Sequence, residues 1–253
     1  MLHTIQADFY RLFRSKGFWI TELFLILNSL LSIVFGVIGG VGVNTDTPAV
    51  DKMGSGGGWT GFETISNLSQ NFSLIVMFTI ILASILIGVD ISKKLYKNIL
   101  SYGISRTQYV LAKSLVLASL VFFQILIAYL LSFILASLLN GVGSMPDQFI
   151  QHFLITLLGQ FFCTCAWVSF VTLVLYLSHS IVAAIFAYFL GATAVSLLTM
   201  TFPDIDLFFY LNMQFNLSMA GQNNMVLHAL LVSGAVILLT TAGSLLRFQK
   251  QDL

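Results

Sequence analysis

Six apolar runs, approximately Phe18 to Val43, Phe72 to Val89, Val110 to Leu139, Phe149 to Leu177, Ile181 to Met200 and Met225 to Leu246, divide the chain. A hydrocarbon core about 30 Å thick needs roughly 20 apolar residues per helix, so each run is long enough to cross a membrane. Backbone polar groups in lipid must be satisfied within the segment, which makes helices of these runs. Composition excludes the alternatives. Charged residues make up 8% of the 253 positions and hydrophobic residues 58%, whereas a soluble domain carries roughly 25% charged residues. Mean hydropathy of +0.95 is equally far from disorder. A net charge of +1 offers no basic surface for nucleic acid. The first run is too long for a secretory signal and lacks a small-residue cleavage site, so it is read as a retained span. Cys163 and Cys165 sit two apart inside an apolar run and read as small hydrophobes, with no metal site and no disulfide framework. The expected fold is an all-α membrane protein, one transmembrane domain over residues 1–253.

Charge placement orients the spans. Arg11, Arg14 and Lys16 precede span one, Lys93, Lys94, Lys97, Arg106 and Lys113 surround the connection between spans two and three, and Arg247 and Lys250 follow span six. Only Lys52 falls on the other side, with Asp46, Asp51, Glu63, Asp147, Asp204 and Asp206. By the positive-inside rule both termini are cytoplasmic. Pro48, Pro146 and Pro203 all fall in the outside loops and leave the spans unbroken.

The connecting segments carry their own patterns. In residues 1–16, Ile5, Phe9, Leu12 and Phe13 share one side and Gln6, Arg11, Arg14 and Ser15 another, which predicts an interfacial amphipathic helix. Between spans two and three, Ile91, Leu95 and Ile99 recur every four residues with Lys93, Lys94 and Lys97 on the remaining face. A short helix fits, ended by Gly103 in a left-handed conformation and followed by a Ser105/Gln108 capping box that restarts the chain as span three. A loop needing only solvation has no use for Leu95, Tyr96, Ile99 and Leu100 together, so this face is expected to dock against a partner. Ser178-His179-Ser180 predicts a tight hairpin of spans four and five. Gly54, Gly56, Gly57 and Gly58 lack the lysine of a phosphate loop and read as a flexible outer loop, while the aromatic and acidic mixture of residues 201–224 suits helices at the outer interface.

Chemistry within the spans is sparse. Glu22 lies about one turn inside span one, where it snorkels or pairs with Lys16 or with a base of a neighbouring segment; Gln124 and Gln160 join it as candidate intramembrane functional residues. His152 and His228 mark the outer ends of spans four and six. Stacked carboxylates of an ion pathway, a catalytic Ser/His/Asp set and a nucleotide-binding loop are all missing from the sequence, so no catalytic residue is assigned and ATP hydrolysis by the chain itself is excluded.

The pattern resembles the permease subunits of type-2 ATP-binding-cassette exporters, a group that includes small bacterial permeases for antimicrobial-peptide export or immunity. The resemblance spans the whole chain. It rests on the basic amphipathic N-terminal helix, six spans with both ends inside, the stretch from Lys97 through Ser105-Arg106 to Lys113, the acid Asp90 where relatives often have Glu, and the closing Arg247-Phe-Gln-Lys-Gln-Asp252-Leu. It implies a permease domain over 1–253 and a cytoplasmic coupling helix in which Lys93, Lys94, Leu95, Tyr96, Lys97, Asn98, Ile99 and Leu100 engage a separate ATPase subunit. It also implies two ATPase copies, a second permease copy, membrane lipid around the bundle, and ATP and Mg bound on the partner rather than on this chain. The cargo would be an amphipathic peptide, a lipid or a drug-like molecule. On the residues alone two other classes stay open: a non-transporting sensor or scaffold, and an ion-coupled carrier.

Overall fold

The computed structural model describes residues 2–35, 58–101, 103–202, 205–211 and 215–249. Among them are ten helices: α1 (Leu2–Arg14), α2 (Lys16–Phe35), α3 (Gly61–Gln70), α4 (Ser73–Ser92), α5 (Leu95–Ser101), α6 (Arg106–Asn140), α7 (Phe149–Ser178), α8 (Ile181–Thr201), α9 (Asp206–Leu211) and α10 (Asn223–Gln249). Six of them, α2, α4, α6, α7, α8 and α10, are long and apolar enough to cross a membrane. They match the six runs read from the sequence, except that residues 36–43 of the first run lie outside the described residues, as do Gly54, Gly56 and Gly57.

The bundle is organised around α6 and α7. α7 packs against α10, α4, α8 and α6, while α6 also receives α2, α3 and α1. α4 is the most enclosed span, with Ile80, Leu82, Ala83 and Ile87 almost wholly buried. α8 and α10 turn most of their length outward, and exposed Phe186, Leu190, Leu238 and Leu239 form apolar faces suited to hydrocarbon. Lipid is as apolar as leucine, so such faces need no cover and helix association relies on close packing and polar contacts. Hydroxyl pairs supply some of the latter. Ser132 on α6 donates to Ser29 on α2 at 3.2 Å, and Thr240 on α10 donates to Ser169 on α7 at 2.8 Å.

Local sequence sets the punctuation at both ends of the bundle. Ser15 separates α1 from α2: its hydroxyl donates to the Leu12 carbonyl and accepts from the Phe18 amide. α4 stops at a Lys93–Lys94 turn with Lys94 left-handed at φ 52°, and α5 is closed by Gly103 at φ 87°. The Ser105 hydroxyl accepts from the Gln108 amide while the Gln108 side chain accepts from the Ser105 amide, both at 3.2 Å, so α6 begins with the expected capping box. His179, at φ 54°, turns α7 into α8 as the expected hairpin.

The opposite end is more ordered than the glycine-rich sequence suggests. Residues Gly61–Gln70 form α3, opened by a second capping box between Thr60 and Glu63. Its first amides donate to the carbonyls of Gly141 and Val142 in the loop after α6, satisfying groups that a helix start otherwise leaves unpaired. The segment after α9 folds back on the bundle. Phe215 is buried against Gly159, where an added Cβ would meet its ring at 2.5 Å, so only glycine admits it.

A buried charge cluster beside the short helix

At the end of the bundle that carries α1 and α5, four charged side chains from three elements meet. Asp8 and Arg11 come from α1, Asp90 from the last turn of α4, and Lys113 from the second turn of α6. Arg11 donates to Asp90 at 2.7 Å and also contacts Asp8; Lys113 donates to Asp8 at 2.6 Å and contacts Asp90. Asp8, Asp90 and Lys113 are each exposed by no more than 1%, and only Arg11 reaches outward. Two acids against two bases leave the cluster neutral. Partial burial opposes the charge on Arg11, yet Asp90 and Asp8 outweigh it and hold the guanidinium above the ordinary arginine range.

Aromatic rings close the cluster on the side of α10. The Tyr109 hydroxyl donates to Asp90 at 3.3 Å, and the Lys113 ammonium lies 5.5 Å from the Tyr109 ring centre. Phe248, near the end of α10, stacks on Tyr109 at 5.1 Å and meets Tyr176 at 5.5 Å and Tyr96 at 5.7 Å. Arg106 donates to the carbonyls of Phe248 and Gln249, placing a cation where the α10 dipole is negative. Through Tyr96, α5 is therefore tied to α6, α7 and α10, and through Asp90 its preceding helix is tied to α1.

The residues expected at the short helix divide accordingly. Lys93 and Lys94 are exposed, and Leu95 and Lys97 are half-buried. Tyr96 turns onto Phe248, and Ile91 packs on the core. The side chains of Asn98, Ile99 and Leu100 lie outside the described residues. Asp8 was not singled out from the sequence. The signal was available: Asp8 follows Ile5 by three residues and precedes Leu12 by four, so an acid stands on the apolar face of α1, where only a buried partner makes it tolerable.

The intramembrane candidates occupy separate places. Gln160 is a fully used bridge: its carbonyl accepts from the Tyr129 hydroxyl at 2.9 Å, and its amide donates to the Phe215 carbonyl at 3.0 Å and the Ser69 carbonyl at 3.4 Å. Hydrogen bonding between packed segments accounts for it. Glu22 neither snorkels nor pairs with Lys16. It is 7% exposed and faces Gln124 across the α2–α6 contact, short of hydrogen-bond geometry. His228 donates from Nδ1 to the Asn224 carbonyl at 2.6 Å and stacks on Tyr210.

We expect Glu22→Gln to change thermal unfolding by less than ~1 kcal/mol, because an amide of the same shape keeps the polar contact with Gln124 without a charge. A loss of transport in a variant that unfolds normally would instead mark Glu22 as an ion-binding carboxylate.

Six membrane-length helices, with a buried charge cluster at one end of the bundle, define a multi-pass membrane protein. The sequence model of the ABC-2 family transporter proteins matches residues 4–194, from α1 through most of α8. The chain belongs to that family and is an ABC transporter permease. No curated protein and no solved structure matches it.

Proposed function

We propose that the chain is the membrane-spanning half of an exporter whose ATPase is a separate subunit docking on α5. The observation that carries this reading is the charge cluster directly behind α5. A contact surface intended to receive force needs a rigid connection to the spans, and here one neutral, buried network joins α1, α4 and α6 within a few residues of it. Exposed Lys93 and Lys94 steer and orient the partner, while Leu95, with Ile99 and Leu100 in the sequence, supplies apolar contact. Nucleotide-driven closure of two ATPase copies displaces α5, and the cluster passes that displacement to α1, α4 and α6. ATP and Mg stay on the partner. Both termini lie in the cytoplasm, and two permease copies enclose the path for an amphipathic peptide, a lipid or a drug-like cargo.

Co-expression with the ATPase of the same transporter system tests the docking. The wild-type chain copurifies the ATPase, and Leu95→Asp combined with Ile99→Asp abolishes copurification while membrane insertion is retained. Retained copurification would remove α5 as the docking element.

A further inference from the structure

Two cavities lie along the membrane-facing side of α6 and α7, and they share a wall. The first, of about 460 Å³, sits toward the α5 end between α6, α7 and α10, with Lys113, Ala118, Cys165 and Tyr176 in its lining. The second, of about 630 Å³, sits toward the α3 end, lined by Phe62, Tyr129, Phe133, Phe153 and leucines of α6 and α7. Phe161 and Phe162 line both. Phe122 lies near the middle of α6 and Phe161 and Phe162 near the middle of α7, with the Phe122 and Phe161 rings 6.4 Å apart. An aromatic partition therefore stands near the centre of the membrane. Exposed Leu111 and Leu115 border the first cavity, and exposed Leu126, Leu130, Leu154 and Leu158 the second, so both are reached from the hydrocarbon. Each volume falls in the range of small-molecule sites.

Their chemistry differs. The second cavity offers only apolar surface, since the Tyr129 hydroxyl is already committed to Gln160. The first carries hydroxyl groups at Ser114, Ser169, Thr172, Thr241 and Ser244. Each of these hydroxyls donates to a carbonyl of its own helix, at 2.6 to 3.1 Å. Their hydrogens are used and their oxygens remain as acceptors, that of Ser169 already accepting once from Thr240. The Tyr176 hydroxyl, on a residue exposed by only 1%, has no hydrogen-bond partner among the described residues. Lys113, the only base among the described residues lining this cavity, is held by two carboxylates. A hydrogen-bond-donating head is thus accommodated, and an anionic head finds no uncommitted cation.

We infer that this pair of cavities is a binding groove for a long-chain amphiphile with a neutral, hydrogen-bond-donating head, such as a primary amide. The head lies among the hydroxyl oxygens and Tyr176, and the chain runs past Phe161 and Phe162 into the aromatic cavity. The inference deepens the proposed export function by naming a cargo class. Its test measures binding without the ATPase, so it fails or succeeds separately from the docking experiment.

The full chain in phosphatidylcholine nanodiscs is photolabelled with a long-chain primary amide carrying a diazirine, and the labelled peptides are mapped. Labels are expected on residues 110–121, 161–176 and 237–244. The unlabelled amide should compete about thirtyfold better than the fatty acid of equal length, the factor that two hydrogen bonds of ordinary net strength supply. It should also slow alkylation of Cys165 by a maleimide. Ala118→Trp and Cys165→Phe, each filling the first cavity, should remove the label; if either misfolds, competition in the wild type decides alone. Equal competition by the fatty acid overturns the head class. Labelling spread evenly over α8, or persisting in both filled variants, reduces the groove to surface wetted by bulk lipid and overturns the site. Oxidative crosslinking of Cys165 between two chains, with loss of labelling, makes the groove a contact between copies and overturns it as well.

Discussion

Replacing Lys113 by methionine destabilises the chain by ~3–5 kcal/mol, the usual penalty when one partner of a buried ion pair is removed and the other stays behind. The variant leaves Asp8 and Asp90, both almost fully buried, to share Arg11 alone. Unfolding of detergent-purified protein, followed by heating and size-exclusion chromatography, measures the loss. The double variant Lys113→Met with Asp8→Asn restores neutrality, with Arg11 facing Asp90, and should recover most of that stability. It should not recover coupling, because α1 then no longer holds α6 by charge. A double variant as unstable as the single one would show that Lys113 acts through packing rather than charge. A double variant with full ATP-driven transport would detach the cluster from force transmission.

Gln160→Leu is the second large effect, and it strikes mid-bundle, away from the charge cluster. It removes the partners of the Tyr129 hydroxyl and of two backbone carbonyls. Interhelical hydrogen bonds in membranes contribute ~0.6 kcal/mol on average and ~1.7 at most, so three of average strength together amount to ~2 kcal/mol. The loss should be local. Hydrogen exchange of residues 215–222 rises and the Phe215 ring leaves its place over Gly159, while exchange around Asp90 and Lys113 stays unchanged. A uniform rise across the chain would mean that Gln160 supports the whole bundle instead of one segment.

The spans and their punctuation were legible in the sequence because each depends on a single stretch of chain. Hydropathy marks a helix that lipid surrounds, and Ser105, Gln108 and Gly103 act on neighbours within a turn. Two kinds of feature escaped. α3 was hidden by the glycines before it, although Thr60 and Glu63 already spelled its capping box. The charge cluster was hidden by distance: Asp8 and Lys113 are 105 residues apart, and Arg11 and Asp90 are 79 apart. The bases from which the positive-inside rule predicts the orientation thus include two, Arg11 and Lys113, that are engaged with acids in the interior. Counting bases per side cannot separate a cation facing headgroups from one held in a network, since both favour the same side. The resemblance of the stretch around Asp90 to type-2 permeases directs attention to this place, and the three-dimensional pairing gives Asp90 a physical role.

α6 runs 35 residues without a proline or glycine, about 52 Å at the rise of an α-helix. It is longer than the hydrocarbon is thick, begins in the Ser105 cap beside α5 and the Lys113 contacts, and ends at Asn140, whose amide donates to the Trp59 carbonyl at 3.1 Å. Such a rod has no hinge at which to absorb a tilt. Ten degrees applied at one end sweeps the other through about 9 Å, so a small stroke at the charged end becomes a large displacement of the far end by leverage alone.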